Sequence, residues 1–531
     1  MLGLADDHKI LAEFLFHAFD KDSSGTISLD EFLYSTYILT KGSPEEKAKF
    51  AFSMLDSDHD GTINKYELQQ MISALYKTMH DIGLGSFIEK SAVEYCNEIF
   101  KLFDHDEKGI IDMEKYSRGA RLYPEILTKL GVPSLQQEGI IKNHSENELT
   151  EVDYQKSEKP ALDIGSPISI GSQKWKFEMM IGVRISSSMS GHVKRHLIRE
   201  DFTAKLEFEL PDLRREASIM PSYSKKKKEK QFVTIFIDFS PIVFYKLRVL
   251  SFVDDTDYVM SLGPEQMLGN FLLGNLSSLT EKISDGKSGS YFFYSYDLHY
   301  LVKTIPKHEF VSFRSMLSSY FYHIEMYPDS LLNRVFGLHQ LNDDVFVVIN
   351  NIFWDLQNRS RRHSWNFIEI YDLKGSEYGR TNANGFIKKD LDLKDKFYLG
   401  PTWTSRILSS LKIDSDFLSS KNVLDYSLIV GVAKKPYRET DSDADVCHIS
   451  RGVWRIQAKD ASEKVKVFGS GNECYTLMYF VGIIDYLTEY GLRKETEIKF
   501  KSMFTDANKI SAIAPSLYAK RFQNYVNTIF E

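Results

Sequence analysis

The sequence predicts a multidomain protein: an all-α head followed by an α+β body. Three observations predict it. At 531 residues the chain exceeds what one core accommodates, since domains run to roughly 100–200 residues. Charge is unevenly spread: residues 1–160 hold 29 Asp and Glu against 17 Lys and Arg, a net of −12 in a chain of −8, so the remainder carries +4. Local pattern also divides the chain. Oxygen-rich turns between helix-like stretches repeat near the start, whereas apolar strand-like runs such as "LDYSLIVG" (424–431) and "VGIIDYL" (481–487) come later, each with one acid. An acidic head and a mildly basic body suit different ligands, cations for the first and anions for the second.

Composition narrows the class. Hydrophobic residues at 43% and charged residues at 26% are ordinary for a globular protein. No uncharged apolar run approaches the ~18–20 residues of a membrane span; the nearest, 231–253, is broken by Asp238, Lys246 and Arg248. Met1 precedes no basic-then-apolar segment, and Leu2 stands where myristoylation needs glycine, so neither secretion nor N-myristoylation is expected. Cys96, Cys447 and Cys474 lack metal-ligand spacing and fit a reducing interior.

In the head, "DKDSSGTISLDE" (20–31) sets oxygen donors at loop positions 1, 3, 5, 9 and 12: Asp20, Asp22, Ser24, Ser28 and Glu31. Gly25 takes the sharp turn at position 6, and Thr26 offers its carbonyl at position 7. "DSDHDGTINKYE" (56–67) repeats the pattern with Asp56, Asp58, Asp60, Gly61, Thr62, Asn64 and Glu67. Calcium takes 6–8 oxygens at about 2.3–2.6 Å, two of them from the final glutamate. The flanks "ILAEFLFHAF" and "EEKAKFAFSML" read as helices. Ile27 and Ile63, at position 8 of each loop, are placed to form the short β-bridge of a loop pair. A third loop, "DHDEKGIIDMEK" (104–115), keeps Asp104, Asp106, Gly109 and Asp112 but has Lys108 at position 5 and Lys115 at position 12, where an ammonium repels calcium. Residues 1–132 thus resemble an EF-hand domain with two intact loops and one degenerate one, similar to a neuronal-calcium-sensor module lacking its first hand. Polar, aperiodic residues 133–167 read as a linker.

In the body, "DGKSGSYFFYSYDLHYLVKTI" (285–305) places Gly286, Ser288, Gly289 and Ser290 in a turn before a strand bearing Lys303. Glycine-rich backbone can close over phosphates, and a strand lysine can reach them. The blander reading is a glycine-rich hairpin. The stretch resembles the glycine loop and strand lysine of protein kinases, yet neither H-R-D nor D-F-G occurs. Catalytic acids must then be sought elsewhere. Asp425 and Asp485 are the candidates, one to orient or deprotonate a hydroxyl and one to hold Mg²⁺ on ATP.

"IYDLKGSEYGR" (370–380), "LDYSLIVG" and "VGIIDYL" stand in one order with "FIDFSPIVFYKLRVL" (236–250), "INNIF" (349–353) and "PSLYAKRF" (515–522). In these phrases the chain resembles the phosphatidylinositol phosphate kinases from about Gly171 onward. The resemblance implies a protein-kinase-like domain over 168–531, with an antiparallel N-lobe at about 171–355 and a mixed C-lobe at about 356–531. It implies that Lys303 meets ATP phosphates with Glu309 as its ion-pair partner. It also puts "INNIF", with Asn350, and Ile484 near the nucleotide. Lys374 would lie by the transferred phosphate and Arg380 by the phosphate already on the lipid. Asp425 would be the catalytic acid and Asp485 the Mg²⁺ ligand.

The resemblance further implies the reaction. Glu497 falls where type I enzymes, 5-kinases of phosphatidylinositol 4-phosphate, carry glutamate; the product would be phosphatidylinositol 4,5-bisphosphate. Lys494 is one of the loop's two expected lysines, while Glu495 replaces the other and weakens docking to anionic membrane by about 1 kcal/mol. "KKKKEK" (225–230) offers a second membrane contact or a solvated loop. ATP, Mg²⁺ and Ca²⁺ are the expected cofactors, with calcium regulation of the kinase as a hypothesis. Expected partners are phosphatidylinositol 4-phosphate, an anionic surface and a second copy through the N-lobe, with no nucleic acid. The expected place is the cytosolic face of a membrane, the plasma membrane first. A type II-like 4-kinase of phosphatidylinositol 5-phosphate and a non-catalytic calcium-responsive adaptor are the alternatives.

Overall fold

The computed structural model describes residues 14, 16–22, 24–41, 43–81, 90–123, 170–190, 195–210, 234–263, 280–282, 291–295, 297–354, 366–376, 380–382, 385–436, 447–457, 466–467, 474–490 and 514–531. The chain forms two compact units: residues 1–189, 207–237 and 255–283 make the first, and residues 190–206, 238–254 and 284–531 the second. Among the described residues no helix is long and apolar enough to cross a membrane. The expected linker, the "KKKKEK" run, the glycine turn at 286–290 and the loop holding Lys494 and Glu497 lie outside the described residues.

Local sequence dictates the helices of the first unit. Ser43 and Glu46 form a capping box ahead of helix Pro44–Leu55, with the Ser43 Oγ accepting from the Glu46 amide at 3.2 Å and the Ser43 amide donating to Glu46 at 2.7 Å. Ser91 and Glu94 repeat the device before helix Ala92–Phe103. Helices Leu29–Lys41, Lys65–Asp81 and Met113–Leu122 leave the first, second and third loops. Their apolar faces share one core that includes Phe50, Leu55, Met71, Ile72, Ile99, Phe100 and Phe103.

The loop pairing corrects one expectation. Strand β1 (Thr62–Asn64) pairs antiparallel with β2 (Ile110–Asp112), so Ile63 meets Ile111 and not Ile27. Both isoleucines stand at position 8 of their loops. Pairing depends on the backbone at that position, which the third loop retains although Lys108 and Lys115 replace two of its ligands. Ile27 instead packs, partly buried, against the common core. Helix Ile170–Ser190, which begins where the kinase domain was expected, belongs to the first unit, and its Phe177 packs on the hand core.

In chain order, strands β3 (Lys205–Glu209), β4 (Ile235–Phe239) and β5 (Thr280–Lys282) are followed by β6 (Phe292–Tyr294), β7 (Tyr300–Thr304), β8 (Val335–Leu341) and β9 (Asp344–Asn350). Within the second unit β8, β9, β7 and β6 lie side by side, all antiparallel. A second sheet uses β10 (Asn366–Leu373), β11 (Ile387–Lys389), β12 (Ser427–Pro436), β13 (Cys447–Ser450), β14 (Val453–Gln457) and β16 (Cys474–Ile484) in the order 11-10-12-16-14-13, and β15 (Lys466–Val467) adds to β16. Only its β10–β11 pairing is parallel among the registers described, which makes it the expected mixed sheet. Helices Lys307–Met326, Pro401–Ser420 and Pro515–Ile529 accompany these sheets. His323 and the fully buried Asp414 join the first two of these helices at 2.7 Å, and Asp414 also accepts the Leu331 amide at 2.7 Å.

Candidate active site and cation loops

Sheet register brings distant residues to one end of three adjacent strands. Strand β12 begins at Ser427 opposite Ile484, the last residue of β16. Asp425, just before one strand, and Asp485, just after the other, therefore emerge side by side. Strand β10 ends at Leu373 opposite Leu428, which delivers Lys374 to the same end. Both aspartates adopt the left-handed region, φ 67° for Asp425 and 59° for Asp485. Asp tolerates this conformation better than most residues, and it turns each carboxylate out of the strand direction. These apolar runs carry acids because the acids stand at strand ends.

Lys303, on β7, reaches across to this end and donates to Asp485 Oδ1 at 3.0 Å. Lys374 Nζ lies 3.8 Å from Asp425 Oδ1. The enclosure of Asp485 works against its charge, but Lys303 and then Lys374 prevail and hold it below the usual carboxylate range. Burial would lower Lys303; Asp485 first, then Glu309, outweigh it and raise the ammonium above its ordinary value. The lysine side chain is 11% exposed, whereas Asp485 remains 54% exposed. The four groups form an alternating row: ammonium, carboxylate, ammonium, carboxylate.

The expected Lys303–Glu309 ion pair is corrected. The hydrogen-bonded partner of Lys303 is Asp485, and Glu309 acts on it through space. Burial raises Glu309 above the usual range, which Lys303 only partly offsets. Arg380 is likewise committed. Its Nε donates to Asp390 at 2.5 Å, one terminal nitrogen reaches Asp372 Oδ1 at 3.2 Å and the Asp372 carbonyl, and only 9% of its side chain is exposed. Its guanidinium thus supports the site's frame. Asn350 is buried with its amide donating to the Arg334 carbonyl at 3.0 Å and its carbonyl accepting from Asn333 at 3.0 Å, so its backbone is in use. Its buried Oδ1 lacks a hydrogen-bond partner. Ile484 packs against an apolar cluster with Ile352, Ile370 and Ile429.

Some supports are not evident from the sequence. Asp390 Oδ1 accepts the amides of Lys374 at 2.8 Å and Gly375 at 2.6 Å, fixing the turn that carries Lys374. Tyr518 donates to the Tyr426 carbonyl, and Tyr426 packs between Tyr518 and Phe522, so the Pro515–Ile529 helix steadies the backbone beside Asp425. "PSLYAKRF" signals an amphipathic helix, but nothing in it discloses which backbone its tyrosine holds.

In the head, each loop closes its position-6 glycine on its first aspartate. Asp20 Oδ2 accepts the Gly25 amide at 2.8 Å, Asp56 Oδ2 that of Gly61 at 3.0 Å and Asp104 Oδ2 that of Gly109 at 2.7 Å. The three glycines have φ of 77–84°, a conformation that L side chains rarely adopt. Asp20, Asp22 and Glu31 converge closely enough to hold a metal, as do Asp56, Asp58 and Asp60. Burial, together with Glu67 and Asp60, pushes Asp56 above the usual carboxylate range, a strain that a divalent cation would relieve. The donor sets are oxygen throughout and fit calcium.

Comparison with known proteins agrees with this anatomy. Residues 273–529 match the family described as phosphatidylinositol-4-phosphate 5-kinase, residues 45–121 an EF-hand domain pair and residues 11–33 an EF hand. A Plasmodium falciparum protein named phosphatidylinositol 4-phosphate 5-kinase is 30% identical over 440 residues, 76% of this chain and 24% of its own length. Two Arabidopsis thaliana proteins, phosphatidylinositol 4-phosphate 5-kinases 3 and 1, are 29% and 28% identical; each alignment covers 69% of this chain and 54% of the relative. The chain thus spans about half or less of the length of these relatives. Residues 273–529 are thus similar to the phosphatidylinositol-4-phosphate 5-kinase family, and residues 11–33 and 45–121 to EF-hand domains.

Proposed function

We propose that the protein is a lipid kinase that transfers the γ-phosphoryl group of ATP to the 5-hydroxyl of phosphatidylinositol 4-phosphate. The observation that carries this reading is the meeting of Lys303, Asp485, Lys374 and Asp425 at one end of the strands, although Lys303 and Asp485 are 182 residues apart in sequence. Phosphoryl transfer asks chiefly for positioning and charge stabilisation, and two ammoniums with two carboxylates supply both. Lys303 and Lys374 face the polyanionic nucleotide. Asp425 accepts the hydrogen bond of the attacking hydroxyl and takes its proton as the new P–O bond forms and the bond to ADP breaks. Asp485, with one oxygen on Lys303 and half of its side chain open, has the hard oxygen donor that Mg²⁺ requires. Bound there, Mg²⁺ would supply charge neutralisation at the phosphates.

Glu497 and the names of the relatives support the type I substrate. We place the enzyme on the cytosolic face of an anionic membrane, where its lipid substrate resides. Calcium at the first two loops is proposed to tune the kinase, and equal rates on lipid vesicles with calcium or with chelator would remove that part. The function itself is tested by Asp425→Asn. Turnover on phosphatidylinositol 4-phosphate vesicles should fall more than about 100-fold with nucleotide affinity nearly unchanged; unaltered turnover would overturn the assignment.

A further inference from the structure

The third loop is not an empty relic. Lys115 stands at position 12, where the two intact loops carry Glu31 and Glu67. Its ammonium folds back into the loop. It donates to Asp104 Oδ1 at 2.7 Å, to Asp106 and to the carbonyl of Ile110 at 2.9 Å. Those oxygens occupy positions 1, 3 and 7, the inward-facing donors of a calcium loop. The lysine side chain is only 6% exposed, as is that of Asp104. Lys108 adds a second ammonium on Asp106 at 2.9 Å.

The surrounding frame keeps part of the bonding of the two intact loops. The Gly109 amide closes on Asp104 as Gly61 closes on Asp56, and Asp112 accepts the Lys115 amide at 2.9 Å just as Asn64 accepts that of Glu67 at 3.1 Å. Through β1 and β2 this loop is tied to the second one, with Ile63 and Ile111 each 1% exposed.

We propose that Lys115 is the resident cation of the third hand: its ammonium occupies the seat of a divalent ion and keeps that loop closed at any calcium level. The second loop therefore closes against a partner already built. Calcium enters the head at two loops, and the second and third hands do not bind it cooperatively. Burial opposes the charge on Lys115, but Asp104 and Asp106 outweigh it and hold the ammonium above its ordinary range. Replacing the lysine by an acid should turn a calcium-indifferent hand into a calcium-dependent one. The proposal rests on the calcium reading of the second loop only for its consequence there; closure by Lys115 stands apart from it.

The test uses the full chain, with hydrogen exchange over residues 104–115 and calcium titration read in parallel. In chelator the parent should protect residues 110–112 as strongly as in calcium. Lys115→Met should lose that protection by about tenfold or more, and calcium should not restore it. Lys108→Asp with Lys115→Glu should lose protection in chelator, regain it in calcium, and raise bound calcium from two ions to three. A parent whose third loop closes only in calcium would overturn the proposal. So would Lys115→Met protection equal to the parent's, or a double variant that still binds two ions. If the parent binds no calcium at all, the reading of the first two loops fails, and exchange in chelator still decides the role of Lys115.

Discussion

Removal of the Asp390 carboxylate should both destabilise the second compact unit and misplace Lys374, which the proposed mechanism uses. Asp390 is almost fully buried, with 3% of its side chain exposed. It receives Arg380 at 2.5 Å and the amides of Lys374 and Gly375 at 2.8 and 2.6 Å. In Asp390→Ala, Arg380 keeps Asp372 but loses half of its counter-charge in an enclosed site. Breaking one side of a buried ion pair costs about 3–5 kcal/mol, and two amides left without an acceptor add to that where water does not reach them. For a domain of this size the melting temperature should fall by roughly 6–20 °C. Asp390→Asn keeps an acceptor for the amides and should lose less. Because Lys374 Nζ sits 3.8 Å from Asp425, release of its turn in Asp390→Ala should lower kcat while the KM for ATP hardly moves, and Asp390→Asn, which keeps the acceptor, should retain more of its kcat. Calorimetry and initial rates, the latter well below the melting range, read the two effects. An Asp390→Ala protein that melts within about 2 °C of the parent, or keeps its kcat, would refute the reasoning.

Two further outcomes follow from the structure. Gly452 has φ 78°, and a Cβ there would lie 2.1 Å from the Leu332 carbonyl oxygen, so Gly452→Ala should cost about 2–4 kcal/mol in denaturant titrations; a loss under about 0.5 kcal/mol would contradict the packing. The Lys303–Asp485 pair sets a pH window. The pKa of Asp485 is depressed on folding, so its contribution is full above about pH 4–5 and lost as pH falls through the lowered value. That of Lys303 is raised, so its contribution is full below its unfolded value near 10.5 and lost as pH rises through the folded one. Melting curves of Asp485→Asn should show a weaker acid-side loss than the parent, and parallel acid limbs would count against the pair.

Features encoded within a few residues were legible, and features that depend on chain return were not. The calcium loops could be read because twelve consecutive residues carry the whole ligand set. Their pairing could not: Ile27, Ile63 and Ile111 are equivalent locally, and only the packed hands select Ile63 with Ile111. The acids at 425 and 485 stood out as charges ending apolar strands, and register then joined them. Glu309 was placed by resemblance alone, whereas the partner that bonds Lys303, Asp485, arrives from 182 residues away. Asp390 was missed because "KKDLDLKDK" looks like a solvated turn; its burial comes from Arg380 and two backbone amides that no local pattern announces.

The central claim is that one site, built from Lys303, Lys374, Asp425 and Asp485, phosphorylates an inositol lipid. Product analysis on vesicles supplied with ATP and either phosphatidylinositol 4-phosphate or phosphatidylinositol 5-phosphate tests it most directly, with Lys303→Met run alongside. The account requires the 4,5-bisphosphate to form by phosphorylation at position 5 of the 4-phosphate, and no product from the lysine variant. Product from the 5-phosphate alone, or undiminished synthesis without Lys303, would contradict it.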